Sequence, residues 1–257
     1  MIKREFKILL TAITFFTRIP VYKYADFSKG ALNKSSRYFT LVGYIVGGFA
    51  ALVFYLSNMI FSVSISVILS TGASILLTGA FHEDAIADVF DGFGGGWEKQ
   101  RILDIMKDSR VGAFGAVGLI MVLITKIMAS VEIPVHYIPI SIFTAHAISR
   151  FSSTLMIYTH EYVRENDDAK AKPMAKSIGT GSIIFSFVLA TLPITLFCNY
   201  WLFLAIIPVW LTKVFMARYF KKWIGGYTGD CLGAIQQISE VVFYLSVLAL
   251  INIFVVV

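Results

Sequence analysis

Four carboxylates fall within nine consecutive positions, Glu83, Asp84, Asp88 and Asp91, in the segment Gly79-Ala-Phe-His-Glu-Asp-Ala-Ile-Ala-Asp-Val-Phe-Asp-Gly92. If that segment is helical, Asp84, Asp88 and Asp91 stand at i, i+4 and i+7, within roughly 60° of one another, and Glu83 points to the side. Carboxylates so close repel by about 4 kcal/mol per pair at 4 Å for an effective dielectric near 20. Such a stripe calls for bound cations or for protonation. A divalent metal answers it, and hard oxygen ligands with no cysteine among them favour magnesium or manganese over zinc. Magnesium also takes water and substrate phosphate oxygens, so the chemistry indicated is phosphoryl-linked group transfer.

A second acidic pair follows in Arg101-Ile-Leu-Asp104-Ile-Met-Lys107-Asp108-Ser109-Arg110, again four residues apart. Two facing acidic turns can hold two metals around a diphosphate, with Lys107 and Arg110 neutralising phosphates and one acid free to accept an alcohol proton. Gly94, Gly95 and Gly96 supply a bend that folds one turn onto the other. The competing structural reading is a solvated acidic loop in which Asp104 and Asp108 pair with Arg101, Lys107 or Arg110. His82 reads either as a helix-end polar residue or as a phosphate or metal contact. A glycine-rich stretch, Gly225 to Gly233, contains Thr228 and Asp230 and reads either as a phosphate-wrapping loop or as an interfacial turn. Arg150, set in an apolar stretch, is either paired and functional or snorkels to the interface.

The elements that must carry these groups are membrane helices. Hydrophobic residues make up 57% of the 257-residue chain and charged ones 15%, with mean hydropathy +0.76. Tyr38 to His82 contains no Asp, Glu, Lys or Arg, enough for two spans with Ser57 and Asn58 at the turn. Further spans are expected over Gly112 to Ser130, Ile138 to Thr159, Ile178 to Leu196, Trp201 to Ala217 and Val241 to Val257. The expected fold is therefore an all-α polytopic transmembrane bundle of about seven spans, forming a single domain over residues 1–257. The N-terminal segment, residues 1–37, is read as cytoplasmic or interfacial, its apolar run ending too early at Arg18 and Pro20 for a standard span.

Of the 22 basic residues, 19 fall on one side of this topology, so that side, with the acidic cluster, is expected to face the cytoplasm. The net charge of +6 then reflects topology and attraction to lipid headgroups, with no reason to invoke nucleic acid. Cys198 and Cys231 fall on opposite faces and are not expected to pair. Glycines Gly43, Gly47, Gly112, Gly115 and Gly118 are read as helix-packing positions. Oligomeric state stays open, a homo-oligomer included.

At the quoted motifs the chain resembles the cobalamin synthases, the adenosylcobinamide-GDP ribazoletransferases. The resemblance rests on Phe15-Phe-Thr-Arg-Ile-Pro-Val21, on Gly79 to Gly92, on Ile105-Met-Lys-Asp-Ser-Arg-Val-Gly112, and on Gly225 to Gly233 with Glu240. It implies a multi-pass enzyme of the bacterial cytoplasmic (inner) membrane that requires magnesium. The implied reaction joins adenosylcobinamide-GDP to α-ribazole or α-ribazole 5′-phosphate with loss of GMP, the last assembly step of the cobalamin nucleotide loop. The acidic halves also match part of the CDP-alcohol phosphotransferase pattern, without its Ala-Arg pair. By that analogy Asp108 is the base and Asp84, Asp88, Asp91 and Asp104 are metal ligands, with Glu83 beside them. His82, Lys107, Arg110, Thr228 and Asp230 are then the expected substrate contacts. A lipid-directed CDP-alcohol transferase and a cation transporter are the competing functions. Transporter acids lie near the bilayer midplane, whereas these cluster at a span end.

Overall fold

The computed structural model describes residues 2–164 and 177–254, and its named elements there are all helical. In chain order these are α1 (Ile2–Phe16), α2 (Lys29–Ser35), α3 (Phe39–Ser57), α4 (Val63–Thr78), α5 (Phe81–Gly95) and α6 (Lys99–Ile105). They continue as α7 (Ala113–Glu132), α8 (Ile138–Thr159), α9 (Thr180–Thr191), α10 (Ile206–Ile224) and α11 (Gly229–Phe254), with short 3₁₀ turns between.

Five stretches are long and apolar enough to cross a membrane: Lys29–Ser57, Ala113–Glu132, Thr180–Phe197, Tyr200–Ile224 and Gly229–Phe254. Helix α4 shows the inverted burial of a membrane helix. Its Ser66, Ser70 and Ser74 are buried while Ile65, Ile68, Leu69 and Leu76 face outward, and Ser70 Oγ donates to the Ala50 carbonyl of α3 at 2.8 Å. Small polar residues on the helix-facing side and large apolar ones on the other suit a lipid solvent. The chain is a multi-pass helical membrane protein.

The expectation of about seven spans is met by these five with α4 and α8, and two of its outlines need adjustment. The second expected span does not continue through the acids, because α4 and α5 are bent by 89° at their junction. Gly79 and Ala80 there are both left-handed, at φ +69° and +59°. Glycine adopts that conformation freely, whereas alanine does so at a steric cost. The break is closed locally, Gly79 N–H donating to the Leu76 carbonyl at 3.2 Å and Ala80 N–H to the Ile75 carbonyl at 2.9 Å, and the Arg18 backbone N–H donates to the Leu77 carbonyl beside it at 2.8 Å. Hydropathy does not register the break, since the residues around it are apolar. Helix α5 thus leaves the direction of α4 at nearly a right angle and packs against α7 and α11.

The other adjustment concerns α8, whose 22 residues are of spanning length although it is absent from the five apolar stretches. It buries His146, Ser149, Arg150, Ser152, Ser153 and Thr154, enclosed by α3, α11, α9 and α10. A helix with no lipid-facing side need not be apolar. Gly43 permits the closest of these approaches, because a Cβ there would strike the His146 carbonyl oxygen. The last span also begins earlier than Val241, with α11 running from Gly229 and carrying the buried Glu240 at mid-helix. At the other end of the chain, α1 is too short to span, at 15 residues. It buries Ile8, Leu10, Ala12 and Ile13 and exposes Lys3, Arg4 and Lys7, as an interfacial helix does.

Candidate active site

Helix α5 presents two chemically different sides. Asp84, Asp88 and Asp91 share one of them, joined there by Asp230 from the first turn of α11. Asp88 is charge-coupled to all three of these acids, and burial together with that coupling pushes its carboxyl up to about 7. The opposing charge is Arg164, which follows α8 and donates from Nη2 to Asp230 Oδ2 at 2.9 Å. Asp230, read from sequence as a substrate contact, therefore stands with the acidic stripe.

Asp91 has a structural duty as well. Its Oδ2 accepts from Gly112 N at 2.6 Å and its Oδ1 from Gly115 N at 2.8 Å. The carboxylate thereby caps the N-terminus of α7, satisfying two otherwise unpaired N–H groups where the helix dipole favours negative charge. Gly115 has to be glycine for this, since a Cβ would overlap the Asp91 carboxylate. The packing role expected for Gly112 and Gly115 is thus in part a carboxylate cradle.

The other side of α5 faces inward. Glu83 is 7% exposed, and its Oε1 accepts from Gln237 Nε2 at 2.7 Å. It lies within electrostatic reach of Lys126, Arg150 and Glu240 rather than with the outward acids. His82 is 4% exposed and stacks on the Phe16 ring, centroids 6.0 Å apart, which fits the helix-end reading over a phosphate contact. Glu83→Gln is accordingly expected to retain turnover within about threefold, because glutamine keeps the bond to Gln237. A metal ligand changed in the same way would lose on the order of a hundredfold or more. Steady-state turnover of the purified variant separates the two.

The second acidic pair does not form one helical face. Helix α6 ends at Ile105, leaving Asp108 in the turn beyond it. Asp104 is exposed and accepts from Gln100 Nε2 at 2.9 Å. Asp108 is bound by Arg110, Nε lying 3.0 and 3.1 Å from its two oxygens, and these bonds pull its carboxyl down to about 2. Lys107 is exposed at the same turn. The glycines after Asp91 do bring α6 back onto α5, where a Cβ at Gly96 would lie 2.7 Å from Ile102 Cγ1.

The glycine-rich stretch is chiefly structural. Gly225 ends α10 at φ +87°. Tyr227 exchanges backbone bonds of 3.0 Å with Glu161 and Val163. Thr228 is fully buried and accepts from Cys231 N at 3.3 Å, starting α11.

Sequence reasoning missed two groups. Arg164 belongs to a stretch with Glu161, Glu165, Asp167 and Asp168 and carries no signal that separates it from solvated loop charges. The inner polar cluster was also unforeseen. It consists of Glu83, Lys126, His146, Arg150, Gln237 and Glu240, drawn from α5, α7, α8 and α11. Its one legible sign was Arg150 in an apolar stretch, and the paired reading holds: Nη1 lies 3.0 Å from His146 Nδ1 and donates to the His146 carbonyl at 3.1 Å.

Among the described residues, no three His, Cys, Asp or Glu side chains converge into a ready-made metal cage. The donor set nonetheless fits magnesium, which is commonly held by one or two carboxylates while substrate phosphates and water complete its shell. The crowding that raises Asp88 is also what a bound dication relieves.

Fold and site together define a multi-pass helical membrane protein with four neighbouring carboxylates, three of them on one side of the helix that follows the break. A family model described as cobalamin-5-phosphate synthase matches residues 8–249, and the chain belongs to that family. A relative from Shewanella amazonensis, named adenosylcobinamide-GDP ribazoletransferase, is 44% identical over 252 residues, covering 96% of this chain and 97% of the relative. Another of the same name, from Shewanella frigidimarina, is 43% identical over 255 residues, covering 96% and 95%. No solved structure matches the chain significantly.

Proposed function

We propose that this protein transfers the adenosylcobinamide phosphate moiety of adenosylcobinamide-GDP to α-ribazole or α-ribazole 5′-phosphate, releasing GMP. The relatives' shared name supplies the substrates. The observation that carries the reading into this chain is that Asp84, Asp88 and Asp91 share one side of α5 and that Asp230 of α11 stands near Asp84 and Asp88. We read the four as lying near a span end and away from mid-bilayer, which favours a soluble nucleotide substrate over transport. The basic loops expected on that side favour a cytoplasmic site in a bacterial inner membrane.

Magnesium held by Asp84, Asp88, Asp91 and Asp230 would neutralise the diphosphate and polarise the phosphorus to be attacked. The protein's own groups do the rest. Lys107 and Arg110, on the exposed turn after α6, meet the nucleotide phosphates, with Asp104 at the rim. Asp108 accepts the ribose hydroxyl proton only after Arg110 has left it for a phosphate, because a carboxyl held at about 2 is a weak base at neutral pH. Purified protein with magnesium, adenosylcobinamide-GDP and α-ribazole should yield a cobamide and one equivalent of GMP. Absence of GMP release, or turnover of CDP-diacylglycerol instead, refutes the reading.

A pH dependence follows from Asp88. Its carboxyl, raised to about 7, is protonated below that pH, and a proton must leave before the oxygen can take a metal. Affinity for Mn2+, used as a spectroscopic substitute for magnesium, should fall about tenfold per unit as pH drops below 7 and level off above 8. Titration by electron paramagnetic resonance across pH 5.5–8.5 measures this, and a flat profile excludes Asp88 as a ligand.

A further inference from the structure

Arg164 stands where the acidic face meets the turn that carries Lys107 and Arg110. Its place is fixed by backbone, the flanking Val163 N–H donating to the Tyr227 carbonyl at 3.0 Å just before α11 begins. From there the guanidinium reaches three elements. Nη2 donates to Asp230 Oδ2 on α11 at 2.9 Å and lies 3.4 Å from the Met106 carbonyl after α6, while the charge acts on Asp88 of α5. Nε is enclosed and reaches no acceptor among the described residues. An enclosed donor without a partner is costly and marks a place where an acceptor is wanted.

A permanent cation among metal-binding carboxylates has two consequences. It competes with dications for those oxygens, and it is already positioned for whatever anion the dications bring with them. The guanidinium fork fits a phosphate in a way that a point charge does not, since two parallel N–H groups can meet two oxygens.

We propose that Arg164 is a substrate-binding residue for the diphosphate: it is paired with Asp230 before substrate enters and passes, through Nε and a terminal nitrogen, to diphosphate oxygens as Asp230 turns to the metal. This rests on the proposed transferase reading. No bond is made or broken. One charge-assisted pair is exchanged for another, and the charge balance of the face is kept because each incoming dication arrives with phosphate negative charge.

The test compares Arg164→Ala and Arg164→Lys with the parent protein in two assays, after monodisperse elution in detergent shows each to be folded. In the first, the KM for adenosylcobinamide-GDP should rise about 10- to 100-fold in the alanine variant, the loss expected for charge-assisted hydrogen bonds. In the second, Mn2+ alone is titrated with no substrate present. Arg164→Ala should bind Mn2+ several-fold more tightly than the parent, since a competing cation is gone. The lysine variant should return Mn2+ affinity towards the parental value while its KM stays raised, because lysine restores charge but not the fork. A merely structural Arg164 would instead weaken Mn2+ binding as Asp230 loses its support, and that result, or an unchanged KM, overturns the proposal. If the parent protein itself releases no GMP, the transferase reading falls and the assignment of this ligand falls with it. An active parent with unaffected variants removes the Arg164 assignment alone.

Discussion

Asp88→Asn is expected to lower turnover about 10³-fold, with Asp84→Asn close behind, while both proteins remain folded in the membrane. Asp88 is half-buried among three other acids, and its carboxyl, raised to about 7, resists ionisation in the folded protein. Above pH 7 the native fold has to accommodate that charge. The isosteric amide removes the repulsion and is expected to be at least as heat-stable as the parent there. Activity and stability thus move in opposite directions, as they do where a site is held under electrostatic strain for its chemistry. Asp91 gives the contrast. Its two oxygens cap α7 through Gly112 and Gly115, so Asp91→Ala should lose activity together with about 1 kcal/mol of stability. GMP release and thermal unfolding, measured on the three variants in parallel, decide the matter. An Asp88→Asn protein that keeps a tenth of parental turnover refutes the metal assignment.

What could be read from the chain, and what could not, divides along the range of the interactions involved. The shared face of Asp84, Asp88 and Asp91 follows from helical spacing alone, and the structure keeps it because all three lie on α5. The helix start was not legible in the same way. Gly79-Ala80 lies in an apolar run, and its second left-handed residue is an alanine, which no local preference announces and which packs beside the distant Arg18 segment. The early start of α11 was hidden for a similar reason. Gln236, Gln237 and Glu240 look like the edge of a cytoplasmic loop until Lys126 and Gln237's partner Glu83 are seen to meet them from α7 and α5. Periodicity reports which residues share a face. It does not report which distant charge allows a polar residue into the bundle.

These long-range pairings have a consequence for the site. Glu83 is next to Asp84 in sequence, so binding Glu83 to Gln237 on the inner side fixes the rotation of α5 and turns the stripe outward. The polar cluster inside the bundle and the carboxylate face at its end are two sides of one helix. A change that loosens the first is felt at the second.

Glu240→Gln is expected to be the most destabilising of the substitutions considered, at about 3–5 kcal/mol, because it strands cations inside the bundle. Glu240 is fully buried, its Oε1 2.5 Å from Lys126 Nζ and its Oε2 2.8 Å from Gln236 Nε2. Lys126 is itself 4% exposed, so its charge has no route to water when the carboxylate is lost. By formal charge Lys126 and Arg150 stand against Glu83 and Glu240, Glu83 carrying the lesser share because burial raises its carboxyl. Removing both members of the closest pair keeps that balance. The double variant Lys126→Met with Glu240→Met should therefore recover most of the loss, since apolar residues of similar volume replace buried ion pairs at little cost. Thermal unfolding in detergent should show the single variant lowered by on the order of 10 °C and the double variant within a few degrees of the parent. If the single variant melts with the parent, the cluster is not an ionic lock. If the double variant melts with the single one, the cost lies in Glu240's bonds to Gln236 and its neighbours and not in the stranded charge.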